Sequence, residues 1–386
     1  MSTAEHVLPK PAVAAKAQSG NRTTAKHLPA LGGLRALSVL LVMVSHAGLG
    51  DIVPGGLGVT VFFFISGFLI TRLLLEERKG KGAIDFARFY ARRFLRLAPA
   101  LVVYVAVASI AIIAIGGVFS LPDTAAALFY YANYYQIFGS FQHVIAQAPD
   151  GALARLQSPF SILWSLAIEE HFYLLFPLTL ALLAGNLRRA LVVFACGLVA
   201  VLVWRLYLVH AGASAMHDRI YMGTDTRIDS ILYGVVAAII GQIVGDRFKD
   251  KASLMWGVCA FAGALMIGSL LLRNAAFRES YRYSLQGVAL LPLIPALVFA
   301  PSLSFFRGML EQPLLTYVGK LSYSLYLYQY LVVMLASWFC AVTGSPQYGG
   351  TWIAIFVVAT PLLAMASYHG VEQPFLKWRR QFGSRA

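Results

Sequence analysis

Ionisable residues inside apolar stretches are the feature of this sequence that points most directly to chemistry. Arg35 and His46 both lie in LPALGGLRALSVLLVMVSHAGLG. A helix rises about 1.5 Å per residue, so the two residues are about 16 Å apart and cannot touch. An imidazole titrates near neutrality, which makes His46 a candidate general base that removes a proton from an attacking hydroxyl. The alternative is a histidine that only hydrogen-bonds a neighbouring helix.

Two adjacent glutamates lie in a second apolar stretch, SPFSILWSLAIEEHFYLLFPL. Carboxylates are costly inside a membrane, so Glu169 and Glu170 are functional candidates. Adjacent residues of a helix point about 100° apart, so at most one of them faces a given site. That glutamate would either hold the His46 imidazole, as the acid of a triad does, or act as the base itself. The alternative is a structural hydrogen-bonded cluster. Candidates for that cluster or for substrate binding are Trp164, Ser165 and Tyr173.

An arginine-rich segment, FARFYARRFLRLAP, precedes the third apolar stretch. Its arginines follow the three- and four-residue spacing of one helix face, and guanidinium groups bind phosphate with two parallel hydrogen bonds. Two interpretations follow: an amphipathic anchor on the membrane surface, or a binding site for a soluble donor that carries phosphates. The residues concerned are Arg88, Arg92, Arg93 and Arg96.

A third charged motif, DTRIDSILYG, places Arg227 and Asp229 at the predicted outer boundary of the membrane. Structural pairing with neighbouring helices explains these residues adequately. Arg205, in WRLYL, allows the same explanation.

The composition predicts that a membrane-embedded helical bundle positions these residues. The chain is 59% hydrophobic and 12% charged, far more apolar than a soluble protein. Apolar runs of about twenty residues recur, each long enough to cross a bilayer as a helix, and the alternation of membrane strands is absent. We therefore predict an all-α, polytopic membrane protein in one domain, 31–376, with a flexible tail at 1–30 and a basic tail at 377–386.

Ten spans are predicted from the apolar runs. A further stretch from Ala125 to Phe138 is too short to cross and rich in tyrosine, which favours a re-entrant or interfacial segment. The predicted spans are 32–50, 57–75, 97–117, 161–183, 190–209, 228–245, 253–272, 285–303, 316–341 and 351–369.

The net charge of +14 is explained by the arrangement of these spans. With ten spans, most lysines and arginines fall on the side that carries both termini, and this bias predicts cytoplasmic termini. Nucleic acid is then not needed as a partner. The three cysteines lie in apolar segments and indicate neither disulfides nor a metal site. Arginines outnumber lysines 22 to 9, which together with the short loops favours a bacterial inner membrane.

Taken together, the motifs resemble the membrane acyltransferases of acyltransferase family three, from Leu31 to Arg380. The first is an arginine, ten residues and a histidine, here Arg35 and His46. The others are GLGVTVFFFISGFLITRLL, FYARRFLRLAP, WSLAIEEHFYLLFP, TRIDSILYG, LSYSLYLYQY and HGVEQPFLKWRR. The chain departs from many relatives at Thr60, where they carry an acid, and at Gln329, where they often carry histidine.

The resemblance implies transfer of an acyl group, most often acetyl, from acyl-CoA to a hydroxyl of a carbohydrate-containing acceptor. The expected acceptor is a cell-surface polysaccharide or a lipid-linked carbohydrate, and no metal is expected. His46 would be the base, with Glu169 or Glu170 holding it, and Arg35 and the four arginines from Arg88 to Arg96 would bind the donor. The main alternative is a multi-span carrier of an anionic or sugar-bearing solute, in which the same charges line a path. No internal repeat supports the carrier.

Overall fold

The computed structural model describes residues 28–139, 143–147, 153–212, 217–245, 247 and 251–379. Residues 1–27 of the predicted N-terminal tail, and 380–386 of the predicted C-terminal tail, lie outside the described residues. The C-terminal tail, predicted from 377, begins within the helix Gln373–Arg379.

The described chain is a bundle of helices, as the composition predicts. Nine of its helices are long and apolar enough to cross a membrane. The predicted sixth span is a shorter apolar helix of 16 residues. The first ten helices are α1 (Pro29–Val44), α2 (Gly55–Lys81), α3 (Phe86–Ala114), α4 (Leu121–Leu128), α5 (Ala132–Phe138), α6 (Trp164–Leu183), α7 (Leu187–His210), α8 (His217–Met222), α9 (Thr224–Arg227) and α10 (Asp229–Val244).

The second half of the chain continues this pattern with short helices between long ones. Its helices are α11 (Ala252–Leu271), α12 (Ala275–Glu279), α13 (Arg282–Phe299), α14 (Ser304–Leu310), α15 (Pro313–Thr343), α16 (Gly350–Ser367) and α17 (Gln373–Arg379). Short 3₁₀ segments precede α6 and α14, at Pro159–Leu163 and Pro301–Leu303. Two π-helical segments, Ser45–Leu49 and Tyr368–Glu372, extend α1 and join α16 to α17.

Two local features go beyond the predicted spans. α2 continues to Lys81 and α3 begins at Phe86, so the arginine-rich segment belongs to the third long helix. Asp85 caps that helix by accepting a hydrogen bond from the Arg88 amide. The chain also contains a short antiparallel hairpin, β1 (His143–Gln147) and β2 (Leu153–Gln157). The stretch from Ala125 to Phe138 is split between α4 and α5, neither long enough to cross.

Glycines allow the closest helix contacts of the bundle. A Cβ on Gly67 of α2 would lie 2.1 Å from the carbonyl oxygen of Ile231, and one on Gly234 of α10 would lie 2.0 Å from that of Phe64. Backbones approach this closely only where a side chain is missing from each contact point, as is common between membrane helices. This contact fixes α10 against α2.

A buried ion pair joins α7 to α10. Arg205 Nη1 lies 2.8 Å from Asp229 Oδ2, and both side chains are fully buried. Arg205 also donates to the Thr226 carbonyl at 2.7 Å and to the Ser284 hydroxyl at 2.5 Å. A buried charge needs such compensation, since an unpaired one costs several kcal/mol. Asp229 therefore pairs with Arg205 of a neighbouring helix, and not with Arg227.

Candidate active site

Two neighbouring cavities lie inside the bundle. The arginine cavity, of about 90 Å³, is lined by residues of α1, α2, α3, α6 and α15, including Arg35, Arg93, Arg96 and Glu169. The histidine cavity, of about 160 Å³, is lined by His46 and by residues of α2, α5, α6, α8 and α15. Val59 and Tyr326 line both cavities, so the two share a wall.

The arginine cavity carries an excess of positive charge, with three guanidinium groups and one carboxylate in its lining. Arg35 Nε donates to the Ser322 hydroxyl at 3.3 Å, and the Arg93 guanidinium lies 3.5 Å from the ring centre of Tyr173. Arg96 makes no hydrogen bond or ion pair within the described part of the chain. Such a lining favours an anionic ligand.

The four predicted arginines of α3 separate into two groups. Arg93 and Arg96 line the arginine cavity. Arg88, half-exposed, pairs with Asp85 at 3.1 Å, while Arg92 pairs with Glu77 of α2 at 3.3 Å. At about 100° per residue, Arg88 points about 140° away from Arg93 around the helix. The four arginines thus lie within one arc of about 140° on α3, but only Arg93 and Arg96 line the cavity.

The two glutamates have different surroundings. Glu169 accepts a hydrogen bond of 2.7 Å from Ser66, whose hydroxyl in turn accepts one of 2.7 Å from the Tyr173 hydroxyl. Glu170 lines neither cavity, and its Oε1 is buried without a hydrogen-bond partner among the described residues. Glu169 is thus the carboxylate that faces the arginine cavity, at one end of a hydroxyl chain.

His46 lies in the π-helical segment that follows α1, and Gln329 of α15 is its hydrogen-bonding partner. The His46 Nδ1 is 3.4 Å from the Gln329 Oε1, and Tyr330 packs edge-on against the imidazole at 5.0 Å between ring centres. The expected contact of His46 with Glu169 or Glu170 is absent, because Glu169 lies in the other cavity and Glu170 faces neither.

The amide orientation of Gln329 sets the role of each imidazole nitrogen. Its Nε2 donates to the Tyr326 carbonyl at 3.3 Å, which leaves the amide oxygen facing His46. An amide oxygen only accepts, so Nδ1 is the nitrogen that donates to it, and the neutral imidazole then presents an unprotonated Nε2. No sequence pattern predicts this contact; its one signal is the polar amide of Gln329 inside the apolar span that contains LSYSLYLYQY.

Hydroxyl groups occupy the wall between the cavities. The Tyr326 hydroxyl is 2.6 Å from the Ser165 Oγ and donates to the Ile162 carbonyl at 3.2 Å. Ser165 lines the arginine cavity and Trp164 lines the histidine cavity. Of the predicted residues, Trp164 and Ser165 therefore line the cavities, and Tyr326 lines both. Tyr173 lines neither, and it is connected to the arginine cavity through its hydrogen bond to Ser66.

Arg227 and Tyr221 lie beside the histidine cavity. The Arg227 guanidinium is fully buried, 3.8 Å from the ring centre of Tyr283, and donates to the Thr60 hydroxyl at 3.2 Å. It lines neither cavity. Tyr221 lines the histidine cavity, and burial raises the pKa of its phenol to about 12 against the opposing effect of the Arg227 charge. The phenol is therefore a hydrogen-bond donor at neutral pH.

Comparison with known proteins assigns the chain to a family. A family model described as an acyltransferase domain, of acyltransferase family three, matches residues 28–368. The O-acetyltransferase OatA of Staphylococcus aureus strain NCTC 8325 / PS 47 is 30% identical over 361 residues, which are 91% of this chain and 58% of that protein. OatA of strain COL gives the same values. The chain thus spans less than two thirds of the length of these curated relatives, and no solved structure matches it.

The matched region contains every residue that lines the two cavities. It also contains the helices that place Arg35, Arg93, Arg96 and Glu169 in one cavity and His46 in the neighbouring one. Because the family model covers most of the chain, this protein belongs to the acyltransferase family.

Proposed function

We propose that this protein is a membrane O-acyltransferase that moves an acyl group, acetyl in the simplest case, from acyl-CoA to a hydroxyl of a carbohydrate-containing acceptor. The observation that carries the proposal is the shared wall between a cavity rich in arginine and a cavity that holds a histidine base. The first cavity suits an anionic donor and the second suits deprotonation of an acceptor. The relatives named O-acetyltransferase support the transferred group.

The sizes of the cavities define how acyl-CoA would bind. Drug-sized ligands occupy pockets of about 300–1,000 Å³, far larger than either cavity. The nucleotide would therefore stay outside the bundle, while the thin pantetheine arm enters the arginine cavity and brings its thioester toward Tyr326. Arg35, Arg93 and Arg96 would attract the phosphates at the entrance. Arg88 is half-exposed on the same helix, where it would contact the nucleotide portion of acyl-CoA.

The chemical step assigned to His46 is a proton transfer. Its unprotonated Nε2 removes the proton of the acceptor hydroxyl as that oxygen attacks the thioester carbonyl. The new C–O bond forms, the C–S bond breaks, and the imidazolium returns the proton to the departing thiolate. Gln329 holds the imidazole through Nδ1 throughout. The product is an O-acyl ester together with free CoA.

The side of the membrane from which the acceptor would approach is inferred from the charge pattern of the sequence. Both termini and most basic residues would lie in the cytoplasm of a bacterial inner membrane, and His46 near the opposite face. CoA is a cytoplasmic molecule, so the donor would enter from the inside. A cell-surface polysaccharide or a lipid-linked carbohydrate would present its hydroxyl from the outside.

The proposal is tested by following the acetyl group. Full-length protein in nanodiscs is incubated with [¹⁴C]acetyl-CoA and an extract of cell-envelope carbohydrate, and carbohydrate-bound label is measured before and after mild alkali. Label that mild alkali releases as acetate identifies an O-ester. Unmodified carbohydrate, with uptake of a solute into proteoliposomes, would instead favour the carrier.

A further inference from the structure

A third cavity lies outside the two that the proposed function uses. It has a volume of about 340 Å³ and is the largest and most polar of the three. The strand β2, the end of α15 and the loop before α16 form its walls. We name it the outer cavity, and its lining residues are Arg155, Leu156, Gln157, Val333, Ser337, Ala341, Gln347 and Tyr348.

The outer cavity is aligned with the histidine cavity along α15. Residues 329, 333, 337 and 341 follow four-residue spacing and so lie on one ridge of that helix. Gln329, which contacts His46, begins this ridge, and Val333, Ser337 and Ala341 line the outer cavity. Ser337 lies about 12 Å beyond Gln329 along the helix axis.

A second contact connects the outer cavity to the segment that holds His46. Gly48, two residues after His46, has a φ of +93°, and a Cβ there would lie 2.9 Å from the Tyr348 ring. Tyr348 itself has a φ of +59°, which is uncommon for a non-glycine residue. Its ring packs 4.8 Å from that of the buried Trp352. Tyr348 is therefore fixed directly over the end of the His46 segment.

The lining of the outer cavity suits a sugar. A sugar ring presents C–H groups on its faces and hydroxyls at its edge, which match an aromatic ring and polar side chains that both donate and accept. Tyr348 supplies the ring, and Gln157, Gln347 and Ser337 supply the polar groups. Arg155 is exposed and has no ion pair within the described part of the chain, so its guanidinium is free for a ligand oxygen.

We propose that the outer cavity binds a sugar unit of the acceptor chain, next to the unit whose hydroxyl is acylated at His46. This inference rests on the proposed function and specifies its acceptor: a saccharide chain long enough to occupy both cavities, and not an isolated monosaccharide. Ser337 accepts hydrogen bonds from Gln347 at 3.5 Å and from Trp352 at 3.1 Å. An acyl chain or a sterol would leave the Gln157 amide and the Arg155 guanidinium without partners, which is costly.

The test compares binding of two probes to full-length protein in nanodiscs. The probes are the β-1,4-linked tetramer of N-acetylglucosamine and N-acetylglucosamine itself, titrated by calorimetry. We expect saturable binding of the tetramer, weakened about 5- to 10-fold by Arg155→Gln and by Gln347→Ala through loss of hydrogen bonds. Ala341→Phe fills the cavity and should abolish binding. Arg273→Gln, an exposed arginine that lines none of the three cavities, is the matched control.

Thiol release from acetyl-CoA, measured on the same samples, separates this inference from the proposed function. Loss of tetramer binding in Ala341→Phe, with a melting temperature like that of the control variant, supports the outer cavity whatever the transfer rate. Absence of saturable tetramer binding to the wild type overturns the inference, and so do unchanged dissociation constants in Arg155→Gln and Ala341→Phe. Absence of thiol release under all conditions counts against the proposed function instead.

Discussion

The imidazole Nδ1 of His46 lies 3.4 Å from the amide oxygen of Gln329, a residue 283 positions further along the chain. A neutral amide holds the imidazole and selects its tautomer, but it adds no negative charge to stabilise the imidazolium. In this respect the contact differs from a histidine–carboxylate pair. Positioning of His46 therefore depends on how α15 packs against the end of α1.

Replacement of Gln329 tests this positioning. In Gln329→Ala the imidazole loses its acceptor, so both tautomers and several ring orientations become available, and we expect kcat for acyl transfer to fall about 10- to 100-fold. The KM for acetyl-CoA should stay the same, because Gln329 does not line the arginine cavity. Gln329→Glu restores an acceptor at the same place and should recover most of the rate. A purely structural role predicts equal losses in both variants, together with a lower melting temperature.

Replacement of Arg96 tests the donor site. Arg96 lines the arginine cavity and makes no hydrogen bond or ion pair within the described ranges, so Arg96→Gln should not disturb folding. Loss of one charged hydrogen bond to phosphate should raise the KM for acetyl-CoA about 10-fold or more. The KM for S-acetylpantetheine, which lacks the phosphates, should not change. Arg189→Gln, an exposed arginine at the start of α7, serves as the control. Equal KM values for acetyl-CoA in the two variants would argue against a phosphate site at Arg96.

The close contact between α2 and α10 allows us to predict how two substitutions change stability. Gly67→Ala and Gly234→Ala would each place a Cβ within 2.1 Å of a backbone carbonyl oxygen of the other helix. The backbone of the neighbouring helix cannot move aside as a flexible side chain can. The overpacking should therefore lower the free energy of unfolding by about 1–3 kcal/mol or more. Gly257→Ala, on α11 with open space around it, should be neutral or slightly stabilising, because alanine is the better helix former. The melting temperatures of all three variants are measured by thermal unfolding in nanodiscs. A Gly67→Ala variant that melts at the wild-type temperature would contradict the packing of α2 on α10.

The stability of the fold depends on pH through the carboxyl group of Asp225. Partial burial acts to raise the pKa of this carboxyl, but hydrogen bonds from Arg219 and Trp204 outweigh it and hold the pKa below its usual value of 3.8. These bonds are 2.9 and 2.5 Å from Arg219 and 2.6 Å from the Trp204 indole. A carboxyl with a lowered folded pKa stabilises the protein fully above its unfolded pKa, and this contribution is lost as the pH falls through the folded pKa.

The corresponding measurement compares the wild type with Asp225→Asn. At pH 7 the variant should melt at a lower temperature than the wild type, and between pH 4 and pH 3 the difference should shrink as the wild-type carboxyl becomes protonated. A difference that is constant from pH 7 to pH 3 would show that the ionised carboxylate is not what stabilises this contact.

The fold and part of the site follow directly from the sequence. Apolar runs of sufficient length specify the long helices. Arg35, Glu169 and His46 stand out because an ionisable group inside such a run needs a compensating environment. The approximate separation of Arg35 and His46 along one helix also follows from helical rise alone. The structure indeed places them in two different cavities.

Contacts between distant helices could not be predicted in the same way. Helical spacing placed Arg88, Arg92, Arg93 and Arg96 on one segment, but Asp85 and Glu77 pair with two of them, and only the packing of α3 decides which two face the cavity. The Gln329 contact depends on the rotation of α15 about its axis, which no local pattern specifies. The hairpin was missed because its two strands of five residues are too short for alternation to be recognised.

Thiol release from acetyl-CoA by the full-length protein, in the presence of envelope carbohydrate, tests the central role of His46 most directly. His46→Ala is compared with His171→Ala, since His171 also lies in a long helix, bonds to Thr224 at 2.8 Å and lines neither cavity. We predict that carbohydrate-dependent thiol release falls at least 100-fold in His46→Ala and changes little in His171→Ala, with both variants folded. Release at the wild-type rate in a folded His46→Ala protein would contradict the assignment of His46 as the base.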